Sequence, residues 1–145
     1  MTYAGGVNTM TDAALIAIAA GVLRPRVVNG RLLGDVGAAL MSEAGRVYTG
    51  VSVDTPGWGL CAERSAMAAM ITAGETRVKR LVAVWRDPKT GALHVLLPCG
   101  VCREFLRGVD EGNLGCSVIL GRDKAVLLRE LLPFWEWPKA LEQSR

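Results

Sequence analysis

Twice in this chain a run of β-forming residues ends at a cysteine, and the pattern beyond it turns helical. The two places are Cys61-Ala62-Glu63-Arg64 and Pro98-Cys99-Gly100-Val101-Cys102. Strands that lead directly into helices are the building unit of layered α/β proteins, and the rest of the chain fits that frame. Thr11 can cap a first helix over Asp12 to Leu23, which is apolar nearly all round and so expected to be buried; Arg24-Pro25 stops it. Gly34 to Leu40 and Arg46 to Asp54 read as a hairpin closed at Ser42-Glu43-Ala44-Gly45, and Thr55-Pro56-Gly57-Trp58-Gly59 breaks its second strand. The helix opened by Cys61 is expected to end at Gly74. Arg80 to Trp85 and Ala92 to Leu97 read as strands around the turn Asp87-Pro88-Lys89-Thr90-Gly91. A short helix from Pro98 through Arg107, a strand Cys116 to Leu120 and a helix Lys124 to Leu132 closed by Pro133 complete the reading, which predicts a mixed sheet with helices layered on it.

Residues 1–145 are the length of one ordinary domain. Half of them are apolar and 21% are charged, a surplus of grease that points to a buried subunit interface. The longest apolar stretch, Ala13 to Leu23, is far shorter than the roughly 20 residues that span a bilayer, so no membrane association is expected. The first basic residue, Arg24, follows that stretch, which is not the order of a signal peptide; the expected compartment is the cytoplasm. The net charge of +3 is scattered, so nucleic acid is not an expected partner. Four reduced cysteines then make the Cys-x-x-Cys pair a metal or redox element rather than part of a disulfide framework.

A helix N-terminus carries unpaired N–H groups and a partial positive charge, which favour thiolate over thiol. Cys99 and Cys102 stand one helical turn apart and can grip one ion together. With Cys61 they make three thiolates, which leave one position of a tetrahedral zinc open, as a catalytic site requires. Cys116 and His94 are the alternatives for a fourth ligand, each also readable as a strand residue that packs or faces solvent. Glu63, in the first turn after Cys61, can aim its carboxylate past the metal and act as general base and then general acid on water at the open position. Three thiolates on Zn²⁺ sum to a formal −1, and Arg64 and Arg103 are placed to offset that charge by hydrogen bonds to sulfur; both also read as solvated surface arginines.

Together the two segments resemble the signature of the cytidine deaminase superfamily, Cys/His-x-Glu followed by Pro-Cys-x-x-Cys, and in particular the small members with three cysteine ligands. Val36-Gly37-Ala38-Ala39-Leu40 resembles that family's first strand, and Arg129-Glu130-Leu131-Leu132-Pro133 its C-terminal stretch, so the likeness runs over roughly residues 30 to 135. It implies a three-layer α/β/α domain with a mixed five-stranded sheet, a homotetramer, and zinc-dependent hydrolytic deamination of a cytidine-type nucleoside. The Ala62 N–H and the Leu97 carbonyl would hold the base, and Arg64 would bond a ligand sulfur. The likeness fails at the sugar end. Ser52 and Asp54 stand where the family has Asn-x-Glu, Gly34 stands where many members carry an aromatic, and the shorter loop from Ser52 to Cys61 resembles that of blasticidin-type aminonucleoside deaminases. Trp58 could supply an aromatic wall or simply pack the loop. Phe134 or Trp135 lies near the place where small members send an aromatic into a neighbouring subunit's pocket. The alternatives are a deaminase of a modified or antibiotic aminonucleoside, and a non-catalytic zinc-stabilised binding module.

Overall fold

The structure is a computed structural model that describes residues 10–141. Helix α1 (Asp12–Gly21) begins as its cap predicts, with the Ala14 N–H donating to Thr11 Oγ1 at 3.1 Å. Its strongly apolar composition does not bury it all round. Leu15, Ile16 and Ala19 face the sheet, while the outer face carries small residues such as Ala13 and Ala17.

After α1 comes a hairpin that the sequence reading omits, β1 (Arg26–Val28) and β2 (Arg31–Leu33). Its turn is Asn29-Gly30, both at positive φ (51° and 74°), the backbone that a two-residue hairpin loop demands. The predicted hairpin follows as β3 (Val36–Ser42) and β4 (Val47–Val51). Beyond Ser52, the Pro56-Gly57 break is itself the turn of a small hairpin, β5 (Val53–Thr55) with β6 (Trp58–Leu60).

Helix α2 (Ala62–Thr72) has Cys61 as its N-cap residue. It ends in a Schellman arrangement, with Gly74 N–H on Ile71 O and Glu75 N–H on Met70 O, Gly74 taking φ +91°. Next come β7 (Val78–Arg86), β8 (Leu93–Leu96), α3 (Gly100–Val109, N-cap Cys99), a 3-10 turn (Glu111–Gly115) and β9 (Ser117–Gly121). The expected helix from Lys124 is strand for its first half: β10 (Lys124–Leu127) pairs antiparallel with β9, and only α4 (Leu128–Leu131) is helical. A Lys-Ala-Val-Leu-Leu-Arg-Glu-Leu run suits a helix intrinsically, but the open edge of β9 outweighs that weak preference.

The main sheet runs β10-β9-β7-β3-β4, with β8 joining β7. Because β8 pairs with Ala83–Arg86 and β9 with Arg80 and Leu81, six strands fill a sheet five strands wide. It is mixed, since β7–β9 is parallel and the other pairings are antiparallel. Alternation along β3 divides the core. Ala39 and Met41 pack with Leu15, Ile16 and Ala19 of α1; Ala38 and Leu40 pack with Ala66, Met67 and Met70 of α2, Leu106 of α3 and Leu128 of α4. The result is the expected three-layer α/β/α arrangement. Close approach on either face depends on glycine: a Cβ at Gly37 would stand 2.4 Å from Ala19 O, and one at Gly50 2.3 Å from Ala66 N. Helices α2 and α3, which follow the two strand-to-helix junctions, pack into the same core cluster on one face of the sheet.

Candidate active site

At the N-termini of α2 and α3 the three cysteines come together. The Sγ atoms of Cys61, Cys99 and Cys102 all lie within 4.8 Å of one another, and Cys61 and Cys99 are 3.5 Å apart. Tetrahedral zinc with Zn–S bonds of about 2.3 Å sets its sulfurs about 3.8 Å apart, so the donor set fits such an ion in both chemistry and spacing. Neither alternative fourth ligand belongs to this group. Cys116 is buried in apolar surroundings that push its thiol up to about 12, which suits a packed thiol rather than a ligand. His94 is exposed on β8 with its ring against Trp85, 5.4 Å between centroids.

The α3 N-terminus polarises its own ligand. Burial works to raise the Cys99 thiol, but hydrogen bonds from the Cys102 backbone N–H (3.5 Å), from the neighbouring thiols and from the Val101 N–H prevail and lower it. Glu63 lies in the first turn of α2, 5% exposed, its Oε2 3.9 Å from Cys102 Sγ. Burial raises its carboxyl above the ordinary range, against opposing pulls from its own backbone N–H, the Arg64 charge and the Cys102 thiol. Burial that raises a carboxyl's proton affinity suits a group that would take up a proton and return it.

The two arginines separate. Arg64 Nη2 donates to Gly59 O at 3.0 Å and reaches Cys61 Sγ at 3.8 Å, and its guanidinium lies over the Trp58 ring. Arg103 does not touch sulfur: its Nε donates to Pro98 O and its Nη1 to Leu131 O, so it ties the ligand loop to α4. One of those carbonyls lies in the loop just before the α3 N-cap and the other on the last residue of α4.

A cavity of about 370 Å³ opens over Cys61, Glu63 and Cys99. Ala62 and Leu97 line it, and Ala62, as the first residue of α2, has an N–H without a helical partner. Ser52 and Asp54 line it too, but both are occupied. The Ser52 hydroxyl donates to Asp35 Oδ1 (2.9 Å) and accepts from Val36 N–H (3.1 Å), and Asp54 pairs with Arg31 across 3.5 Å on the exposed rim. Trp58 is no wall of this cavity; it is 65% exposed and covers Arg64 from outside. Asp35, which lines the cavity, is the residue that sequence reading missed, since one Asp after Leu-Leu-Gly reads only as a turn former.

Layered fold and site together define a class: α/β/α domains with a three-cysteine group that fits a metal ion and a buried carboxyl at two converging helix N-termini. No protein-family model matches the chain. It is 39% identical over 80 residues to a probable cytidine deaminase of Dictyostelium discoideum, an alignment covering 54% of this chain and 50% of that one. It is 40% identical over 73 residues to a cytidine deaminase of Mycobacterium tuberculosis, covering 49% and 51%. These alignments span about half the length of the curated relatives. Superposed on the crystal structure of cytidine deaminase from M. tuberculosis, the fold gives a TM-score of 0.68 at 30% identity over 86% of this chain and 97% of that one. The cytidine deaminase of Burkholderia pseudomallei gives 0.68 at 25% identity over 86% and 98%. The chain belongs to the cytidine deaminase family.

Proposed function

We propose that this protein hydrolyses the exocyclic amino group of a cytidine-type nucleoside, giving the uridine-type product and ammonia. One observation carries the reading: a buried carboxyl, Glu63, stands beside a three-cysteine group on the floor of a cavity of about 370 Å³. Zinc held by Cys61, Cys99 and Cys102 would supply the Lewis acidity that makes water a nucleophile near neutral pH. The chain's own residues do the rest. The Ala62 N–H and the Leu97 carbonyl orient the base above Glu63. The Glu63 carboxylate takes a proton from the attacking water and passes protons to the ring nitrogen and then to the departing amine. Water oxygen becomes bonded to the former amidine carbon, its C–N bond breaks, and ammonia leaves.

The family likeness supports a homotetramer. A substrate with an altered sugar is a second reading, favoured by the occupied hydroxyl of Ser52 and the paired carboxylate of Asp54. Ammonia release across free bases, nucleosides and nucleotides, with the zinc-loaded protein, tests the proposal. Release from a cytosine nucleoside is expected. A protein that binds one zinc, releases no ammonia from any of them and unfolds when the metal is removed would instead be a zinc-stabilised binding module.

A further inference from the structure

The sugar end of the cavity has three polar side chains, and two are already engaged. Ser52 uses its hydroxyl hydrogen on Asp35 and accepts the Val36 N–H. Asp54 faces the Arg31 guanidinium. Asp35 is different: Oδ1 takes the Ser52 hydrogen bond, and no protein group among the described residues donates to Oδ2. Its two chain neighbours are anchored: Gly34 N–H donates to Ser52 O and Gly34 O accepts from Arg24 N–H, each at 2.9 Å, and Val36 O accepts from Ser52 N–H at 3.0 Å. A carboxylate fixed this firmly loses little freedom when it grips a ligand.

Charge gives the direction of the preference. Asp35, Asp54 and Glu63 line the cavity and no lysine or arginine is among its lining residues; Arg31 at the rim pairs with Asp54, which leaves Asp35 as the carboxylate at this end without an ion-pair partner among the described residues. Asp35 and Leu32 also line a second cavity of about 620 Å³ against Trp85. Arg86, the basic residue there, directs its Nη1 to Gly91 O in its own turn.

We propose that Asp35 is the specificity-determining side chain for the non-base part of the substrate, and that it selects a protonated amine over a hydroxyl and disfavours a phosphate. Ser52 acts through Asp35, as a positioning residue. This rests on the deaminase reading above and names the substrate class for that same site.

The test compares cytidine, its 3′-amino-3′-deoxy and 5′-amino-5′-deoxy analogues and the matching monophosphates, on wild type, Asp35→Asn and Ser52→Ala. Turnover is read by ammonia release and binding by calorimetry, with melting temperatures reporting the fold. A charge-assisted hydrogen bond should favour one of the amines about tenfold over cytidine in kcat/KM, with the phosphates worst. Asp35→Asn should bring amine and hydroxyl within about twofold by removing the charge, and Ser52→Ala should raise KM with little change in kcat. The proposal is overturned if no amine exceeds cytidine, if a phosphate is accepted as readily, or if Asp35→Asn keeps the ranking. Should no compound be turned over, the deaminase reading fails, and the same ranking in calorimetric affinity, lost in Asp35→Asn, still decides the role of Asp35.

Discussion

The guanidinium of Arg64 rests on the Trp58 ring, 5.6 Å from its centroid, while its Nη2 bridges Gly59 O and Cys61 Sγ. Its Nε is buried with no partner among the described residues, so this side chain is held at some cost in an orientation that brings positive charge to sulfur. In this position Trp58 would act on the cysteine group through Arg64. Arg64→Gln should weaken zinc binding by roughly 10- to 100-fold in chelator competition, the usual scale for removing a partner of a metal ligand. Trp58→Ala should give a smaller loss in the same direction and Trp58→Phe little loss, because phenylalanine keeps an aromatic face for the cation. Wild-type affinity in Arg64→Gln would show that the thiolate charge is not balanced by this residue.

Glu63 is the next test of the chemistry. Gln keeps the size and removes the proton acceptor, so Glu63→Gln should keep about one zinc per chain while kcat falls by roughly 10² or more. X-ray absorption on the zinc-loaded protein should find three sulfurs and one lighter atom, as expected for a site with an open position. Four sulfurs would make the centre structural, and undiminished turnover in Glu63→Gln would move the base elsewhere.

What the sequence disclosed, and what it withheld, follows from how local each signal was. Cys61, Glu63, Cys99 and Cys102 are written as two short segments at helix starts, so their joint meaning needs no knowledge of the whole fold. The Asn29-Gly30 hairpin carried an equally local signal, Val-Val before and Leu-Leu after the Asn-Gly pair, and could have been found. Strand β10 could not: its residues favour a helix, and only the unpaired edge of β9 makes them extended. Asp35 stayed hidden because its significance depends on Ser52, seventeen residues later, taking one of its two oxygens.

Away from the site, Glu75 fastens the end of α2 to the β3–β4 hairpin. It accepts hydrogen bonds from Tyr48 Oη and from Ser42 Oγ (2.7 Å), and it pairs with Arg46. Burial pushes its carboxyl up, but the Tyr48 and Ser42 hydrogen bonds and the Arg46 charge prevail and hold it below the ordinary value of 4.5. A carboxyl whose folded value is depressed adds stability above its unfolded value and loses it as pH falls through the folded one. Stability of the wild type should therefore decline more steeply below about pH 4.5 than that of Glu75→Gln. Chemical denaturation at a series of pH values checks this, and parallel profiles for the two proteins would remove Glu75 from the account.

The C-terminal segment presents its aromatics unevenly. Trp135 lies over the Arg107 guanidinium of α3 at 5.3 Å, whereas Phe134 is 100% and Trp137 91% exposed. The chain's own core therefore does not claim those two rings. Each aromatic side chain can bury on the order of 150–250 Å², a gross gain of about 4–6 kcal/mol at roughly 25 cal/mol per Å², so two left in water are a strong incentive for association. Truncation after Pro133 is expected to yield a smaller species by light scattering and, where a neighbouring subunit's cavity uses the tail, a higher KM. Phe134→Ala and Trp137→Ala should lower the assembly's mass without lowering the stability of the dissociated chain, since neither ring contributes to its core. A truncated protein of unchanged mass and unchanged KM would assign the tail to neither the assembly nor the site.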